Sequence, residues 1–347
     1  MTIPVIAFFN NKGGVGKTSL VFHLAWKYAD LGYRVVAVDL DPQSNLSAAF
    51  LEEDRLEELW PEGKHPETIF GAVNPLISGI GDVAVPHLEG ISEGGGQVEQ
   101  LSLGLYEDRL TLVVGDLELS RFEDELADAW SKCLGGSERA FRVMSAFWRT
   151  AQRAAELRSA DLILLDLGPN LGAINRAALI AADFVVFPLS ADLFSLQGLR
   201  NLGPTLRRWR SEWKQRLGQS LARDLDLPAG RMEPVGYVVQ QHSVRFDRPV
   251  KAYDRWIAQI PEVYRNAVLD EPGAINGGIE DDPYCLILLK HYRSLMPLAQ
   301  EARKPIFHLK PADGAIGSHI EAVKSVSSDF TRLAQNIAER TGLRKPA

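Results

Sequence analysis

The sequence predicts an α/β fold, a mostly parallel twisted sheet with helices on both faces, and three observations predict it. Short apolar runs of strand length alternate with longer stretches of helical period. Most of those runs are apolar on both faces, as strands of a parallel sheet covered from both sides must be. A glycine-rich loop, Lys12-Gly13-Gly14-Val15-Gly16-Lys17-Thr18, joins the first run to the first helical stretch.

The first strand is expected over Pro4–Phe9. The helix after it is expected over Lys17–Leu31, where Leu20, Leu24, Tyr28 and Leu31 recur at helical spacing and Gly32 supplies a stop. Arg34–Leu40 then completes a βαβ unit. Further strands are expected at Leu110–Gly115, Asp161–Leu167, Phe184–Leu189, Val235–Gln240 and Pro305–Leu309. Residues 52–108, rich in Gly, Pro and Glu, keep no sustained period and read as an insertion on the rim of the sheet. Residues 271–283, with Pro272, Gly277, Gly278 and Pro283, read as a second surface excursion, and Ser318–Arg340 as a closing helix. The chain, 1–347, is read as a single domain carrying these excursions.

A hydrophobic fraction of 46% with 24% charged residues excludes a disordered or fibrous chain. At a net charge of −7, contact with nucleic acid requires a local basic face. Cys133 and Cys285 stand far apart in no C-x-x-C arrangement, so neither a disulfide framework nor a zinc site is expected. The opening MTIPVIAFFN has no basic flank and leads straight into the glycine loop, so it reads as a strand rather than a signal peptide. No stretch approaches the roughly 20 apolar residues of a membrane span. A cytoplasmic protein is expected.

In such a loop the glycines let backbone N–H groups curl around phosphate oxygens, and the helix N-terminus adds partial positive charge. Lys17 would reach the β- and γ-phosphates and the Thr18 hydroxyl would ligate Mg²⁺, which makes ATP and Mg²⁺ the expected cofactors. The strict pattern G-x-x-x-x-G-K-[ST] asks for glycine at position 11, where Asn11 stands, followed at once by Lys12. Asp39 and Asp41 end the second strand. Leu162–Asp166 is an apolar strand ending in an acid, the setting for a carboxylate held beside a metal.

The segment Asn10–Thr18 resembles the deviant Walker A loop of the ParA/MinD family of P-loop ATPases, and is closest to its ParA/Soj type. The resemblance implies that Lys12 is the signature lysine, which reaches phosphates bound by a partner subunit. It implies a nucleotide cradle of Lys12, Gly13, Gly14, Val15, Gly16, Lys17, Thr18 and Ser19. Val38–Gln43 looks like the family's Walker A′ segment, in which Asp39 supports the Mg²⁺ shell with Thr18 and Asp166, while Asp41 positions water. Lys12, Lys17 and Asp41 are thus the candidate catalytic residues. After the Walker B acid the chain departs from the pattern: many ParA proteins read Asp-Cys-Pro-Pro, and this one reads Asp166-Leu167-Gly168-Pro169-Asn170. Ala182–Leu189 and Ser195–Leu199 are similar to the ParA dimer face. Gln240, Pro311 and Asp313 complete the candidate nucleotide contacts, the last two where the family holds the base.

Within this group, metal-cluster carriers need thiolate pairs, which two isolated cysteines do not supply. A MinD-type membrane anchor needs a strong apolar face, and Asp329–Ala347 has few large apolar groups. Arg207, Arg210 and Lys214 share one helix face, opposite a stripe of Leu202, Leu206, Trp209 and Trp213. That face is either a solvated surface or a site for DNA phosphates. The reading is an ATP-dependent homodimerising switch that hydrolyses ATP slowly, binds DNA without sequence preference on the nucleoid, answers to a stimulating protein partner and partitions plasmid or chromosome cargo. The alternative is a P-loop ligase or kinase using ATP on a small substrate.

Overall fold

Every side chain of the run Val5–Phe8 is buried, which places this strand at the centre of the sheet. The computed structural model describes residues 2–92, 109–221, 224–240, 255–273, 277–290, 292, 294–344 and 346. In chain order the main elements are β1 (Val5–Phe8), α1 (Lys17–Asp30), β2 (Val35–Asp39), α2 (Asn45–Phe50), α3 (Glu53–Leu59), α4 (Ile69–Ile77), β3 (Glu89–Gly90) and β4 (Leu110–Val113). There follow α5 (Phe122–Lys132), α6 (Glu138–Met144), α7 (Ala146–Arg158), β5 (Leu162–Asp166), α8 (Ala173–Ala181), β6 (Phe184–Ser190) and α9 (Leu193–Leu217). The chain continues through β7 (Glu233–Gln240), α10 (Ile260–Val263) with a π turn over Tyr264–Leu269, β8 (Cys285–Leu289), α11 (Leu295–Glu301) and α12 (Ser318–Thr341).

The eight strands run β3-β4-β2-β5-β1-β6-β7-β8, all parallel except β3, which lies antiparallel to β4. Side chains alternate between the two faces of each strand. From β1, Val5 and Ala7 enter one core with α4, α5 and α7–α9, and Ile6 and Phe8 enter another with α1 and α12. The β2/β5 register brings Asp39 opposite Asp166 at the carboxyl ends of the strands. That end of a parallel sheet is where ligands bind in this class of fold.

Several expectations are corrected. Pro305–Leu309 is not a strand but a 3₁₀ turn over Ile306–His308. Pro305 lacks an N–H for a ladder, and its neighbours bond to α1 instead: the Ile306 N–H donates to His23 Nε2 at 3.2 Å and His308 Nε2 pairs with Asp30 at 3.0 Å. The outer strand is β8, an apolar run that pairs with β7. The stretch expected to be an irregular insertion carries α3 and α4. Thr68 caps α4, whose Ile69, Val73 and Leu76 enter the core. The part of that stretch at 93–108 lies outside the described residues, as does 274–276 of the second excursion.

Candidate functional site

The loop Asn10–Gly16 leaves β1 at its carboxyl end and delivers Lys17 to the first turn of α1. Gly16 takes φ +71°, a left-handed conformation that glycine adopts without strain. It also has no room for a side chain: a Cβ there would stand 2.3 Å from the Gln240 amide, whose Nε2 donates to the Gly16 carbonyl at 3.1 Å. The buried Asn10 ties the loop to β6 through Pro188 O at 2.7 Å and accepts from the Lys12 N–H at 3.0 Å. The free N–H groups of a helix start face what sits on this loop.

Lys17 is buried, and its Nζ donates to Lys12 O at 3.2 Å. Burial lowers the pKa of its ammonium, against the opposing pull of Asp166 and Asp41. Asp39 and Asp166 are fully buried. Asp39 is held by the Ser47 N–H and hydroxyl, both at 2.8 Å, and by the Asp41 N–H at 3.3 Å. Burial nonetheless pushes its pKa up to about 7. Asp166 is pushed well above the usual carboxylate range, by burial first and then by the charge of Asp39. Neither Asp166 oxygen makes a well-formed hydrogen bond among the described residues, and the nearby Thr18 hydroxyl opposes the shift.

Two buried carboxylates facing each other, one of them without a hydrogen-bond partner, have the single nearby ammonium of Lys17 and remain short of positive charge. Together with the Thr18 hydroxyl they form an all-oxygen donor set, which suits a hard divalent cation such as Mg²⁺. Asp166 is the member with both oxygens open, whereas Asp39 spends its oxygens on Ser47 and Asp41. Asp41 is buried beside them and accepts from the Gln43 N–H at 3.1 Å.

A cavity of about 620 Å³ opens on the loop, lined by Gly13, Gly14, Gly16, Lys17, Thr18, Ser19 and Asp41, and beyond them by Phe22, Met296 and Lys304. A smaller one of about 260 Å³ shares Gly14, Gly16 and Ser19 and reaches Gln240, Lys290 and Tyr292. The structure therefore brings Gly13, Gly14, Gly16, Lys17, Thr18, Ser19, Asp41 and Gln240 to one place. Val15 is fully buried beneath the loop. Pro311 and Asp313, expected at the base, line neither cavity; Asp313 instead pairs at 2.8 Å with Lys304, which does.

Lys12 turns away from the cavity. Its ammonium forms a salt bridge with Asp192, the N-cap of α9, and lies 5.9 Å from the centre of the exposed Phe194 ring. The expected basic face on α9 also differs from what the helix presents. Arg207 spends its guanidinium on Ala267 O, Val268 O and Asp270, and Arg210 donates to Met232 O. Only Lys214 of the three is exposed, joined by Arg200 and Arg208 elsewhere on the helix. The opposite stripe of Leu202, Leu206, Trp209 and Trp213 is buried. Ser47, Asn175 and Asp192, which hold Asp39, the loop after β5 and Lys12, carry no motif in the sequence. Each acts through a partner that only the fold brings near.

A family model described as an AAA domain (AAA_31) matches residues 3–219. Protein IncC of Escherichia coli is 29% identical over 211 residues, covering 61% of this chain and 48% of IncC. The chromosome partitioning protein ParA of Caulobacter vibrioides is 28% identical over 217 residues, covering 62% of this chain and 66% of that protein. The chain spans about half the length of the curated relatives it matches first. In fold it is similar to the solved structure of pNOB8 ParA bound to nonspecific DNA, with a TM-score of 0.57 and 18% identity over 98% of this chain and 99% of that one. No helix among the described residues is long and apolar enough to cross a membrane.

Proposed function

From the premise that the chain belongs to the AAA_31 AAA-domain family, and within it to the ParA/MinD ATPases, we propose that it is an ATP-driven switch. In this reading the whole chain acts as one nucleotide-binding domain. ATP closes a dimer of two copies, the dimer engages DNA or a protein partner, and slow hydrolysis resets it. The observation that carries this reading is the buried set Lys17, Asp39 and Asp166 at the mouth of a left-handed glycine loop. Two buried acids left short of positive charge and a buried ammonium fit a bound Mg²⁺–triphosphate better than they fit a structural core.

Catalysis would be mainly positioning and charge stabilisation. The loop N–H groups hold the phosphates, and Lys17 exchanges Lys12 O for phosphate oxygens. Asp41 accepts from and orients the attacking water. Thr18 and Asp166, with Asp39 behind them, would hold Mg²⁺, which would neutralise charge on the phosphate oxygens. Lys12 must leave Asp192 before it can reach phosphates in the other copy, so the salt bridge fits a resting state.

Non-specific DNA contact, if the dimer makes it, falls to Arg200, Arg208 and Lys214 rather than to Arg207 and Arg210. Its affinity should drop steeply with salt. The name of the Caulobacter relative points to partition of a chromosome, and pNOB8 ParA, solved bound to nonspecific DNA, points to DNA as a surface. Both are carried to this chain as parts of the proposal.

Calorimetric titration with ATP and Mg²⁺ tests the nucleotide site. The wild type should bind and Lys17→Ala should not. Equal binding by both would remove the loop from the site.

A further inference from the structure

We infer that Asn175 is a positioning residue for ATP hydrolysis, whose side-chain amide holds the loop after β5 against Asp41 and the phosphate loop. The inference rests on the ATPase reading above and adds a residue to it.

Asn175 lies in the first turn of α8 and is buried. Its Nδ2 donates to Gly168 O at 2.8 Å, to Asn170 O at 2.7 Å and to Asn170 Oδ1 at 3.0 Å. Three oxygens around one NH₂ group fix which end of the amide faces the loop, because a flipped Oδ1 would meet only acceptors. The inward Oδ1 has no hydrogen-bond partner among the described residues. A buried acceptor left unpaired costs stability, so the amide is a poor choice for packing and a good one for tethering.

The loop needs a tether. Gly168 has no side chain to restrict its backbone, and it sits where the chain has to be exact: a Cβ there would lie 3.1 Å from Asp41 Oδ1. One residue on, Pro169 lines the larger cavity with Lys17 and Asp41, and its Cγ would touch a Cβ at Gly13 at 4.0 Å. Moving the Gly168 carbonyl therefore moves the peptide that backs Asp41 and the proline that faces the phosphate loop. The other end of the tether is firm. Glu123 of α5 accepts from the Ala173 and Ile174 N–H groups, the latter at 2.8 Å, and so fixes the start of α8. Asn175 acts through these neighbours and does not line either cavity.

Steady-state ATP hydrolysis and calorimetric ADP binding are measured for the wild type, Asn175→Ala, Asn175→Asp and Asn170→Ala, with thermal melts as a check of folding. Asn175→Asp keeps the shape but turns a carboxylate oxygen toward the loop's carbonyls. Asn170→Ala changes an exposed residue and removes one of the three acceptors, an oxygen that also accepts from the Gly172 N–H at 2.9 Å. Both Asn175 variants should lose about tenfold or more in kcat, since a ~1 Å misplacement near a reacting centre can cost about a hundredfold. KM for ATP and Kd for ADP should move less than about threefold, because an interaction serving the transition state lowers kcat alone. Asn170→Ala should fall between them and the wild type, and it carries the test if neither Asn175 variant folds. Wild-type kcat in the variants, or kcat and ADP affinity falling together, overturns the positioning role. A wild type that hydrolyses no ATP overturns the ATPase reading and this inference with it; an active wild type matched by its variants overturns this inference alone.

Discussion

Raising the pH should make the nucleotide-free protein easier to unfold, and Asp39→Asn should remove much of that sensitivity. Asp39 and Asp166 face each other in register on β2 and β5, fully buried. Burial raises Asp39 to about 7 and Asp166 well above its usual value. An acid raised on folding contributes stability that is fully present below its unfolded pKa of about 3.9 and is lost as pH climbs through the folded value. Between pH 5 and about 7 that is roughly two units at about 1.4 kcal/mol each, or ~3 kcal/mol from Asp39 alone. In a chain of 347 residues, at about 1–2 °C per kcal/mol, Asp39 alone should lower the melting temperature by about 3–6 °C between pH 5 and pH 8. His23 works the other way: burial lowers it to about 4, so its contribution, full above about 6.5, is lost as pH falls. Subtracting the melting profile of Asp39→Asn from that of the wild type cancels His23 and leaves the acid. The variant loses some of the Ser47 hydrogen bonding, a cost of about 1–3 kcal/mol that does not vary with pH. Calorimetric melts from pH 5 to 8 measure the difference, and Mg²⁺ with nucleotide should restore the wild type at pH 8. Parallel profiles for the two proteins would refute the electrostatic account of the site.

Asp192→Asn keeps the cap on the Ser195 N–H but drops the charge that holds Lys12. It should dimerise at a lower ATP concentration, by up to about fivefold for a partly exposed pair worth at most ~1 kcal/mol. An unchanged midpoint in sedimentation would show that the salt bridge does not restrain the switch. Gly203→Ala should destabilise the fold by about 1–3 kcal/mol or more. Its methyl would sit 1.9 Å from Ala267 O and 2.4 Å from Ala267 C, backbone atoms of the π turn that α9 packs on. A wild-type denaturation midpoint would mean that this turn moves aside freely.

The sheet was legible in the sequence where strands are central. Runs such as Val35–Asp39 and Leu162–Asp166 are apolar on both faces, as strands covered by helices from both sides require. The edge was not legible. Cys285–Leu289 and Pro305–Leu309 are apolar runs of the same length, and what separates them is tertiary: one pairs with β7, while the other bonds to His23 and Asp30 of α1. The α4 helix hid for a similar reason, since Pro75 and Gly71 break its local signal while Ile69, Val73 and Leu76 still bury one face. At the site, the loop could be placed from its glycine spacing, and the two strand-end acids from the strand pattern together with the family resemblance. The commitments of the basic residues could not, because Arg207 and Arg210 bond to main-chain oxygens 60 and 22 residues away. Lys12 faces Asp192 across 180 residues in the same way.

The central claim is that ATP itself joins two copies of the chain and that Asp41 then ends the contact by hydrolysis. Light scattering on a sizing column measures this directly with Asp41→Ala, run without nucleotide, with ADP and with ATP and Mg²⁺. A mass of 38.4 kDa without nucleotide and with ADP, rising to twice that value only with ATP and Mg²⁺ and persisting for hours, is the expected result. A mass of 38.4 kDa under all three conditions, or a dimer that forms equally well without ATP, would contradict it.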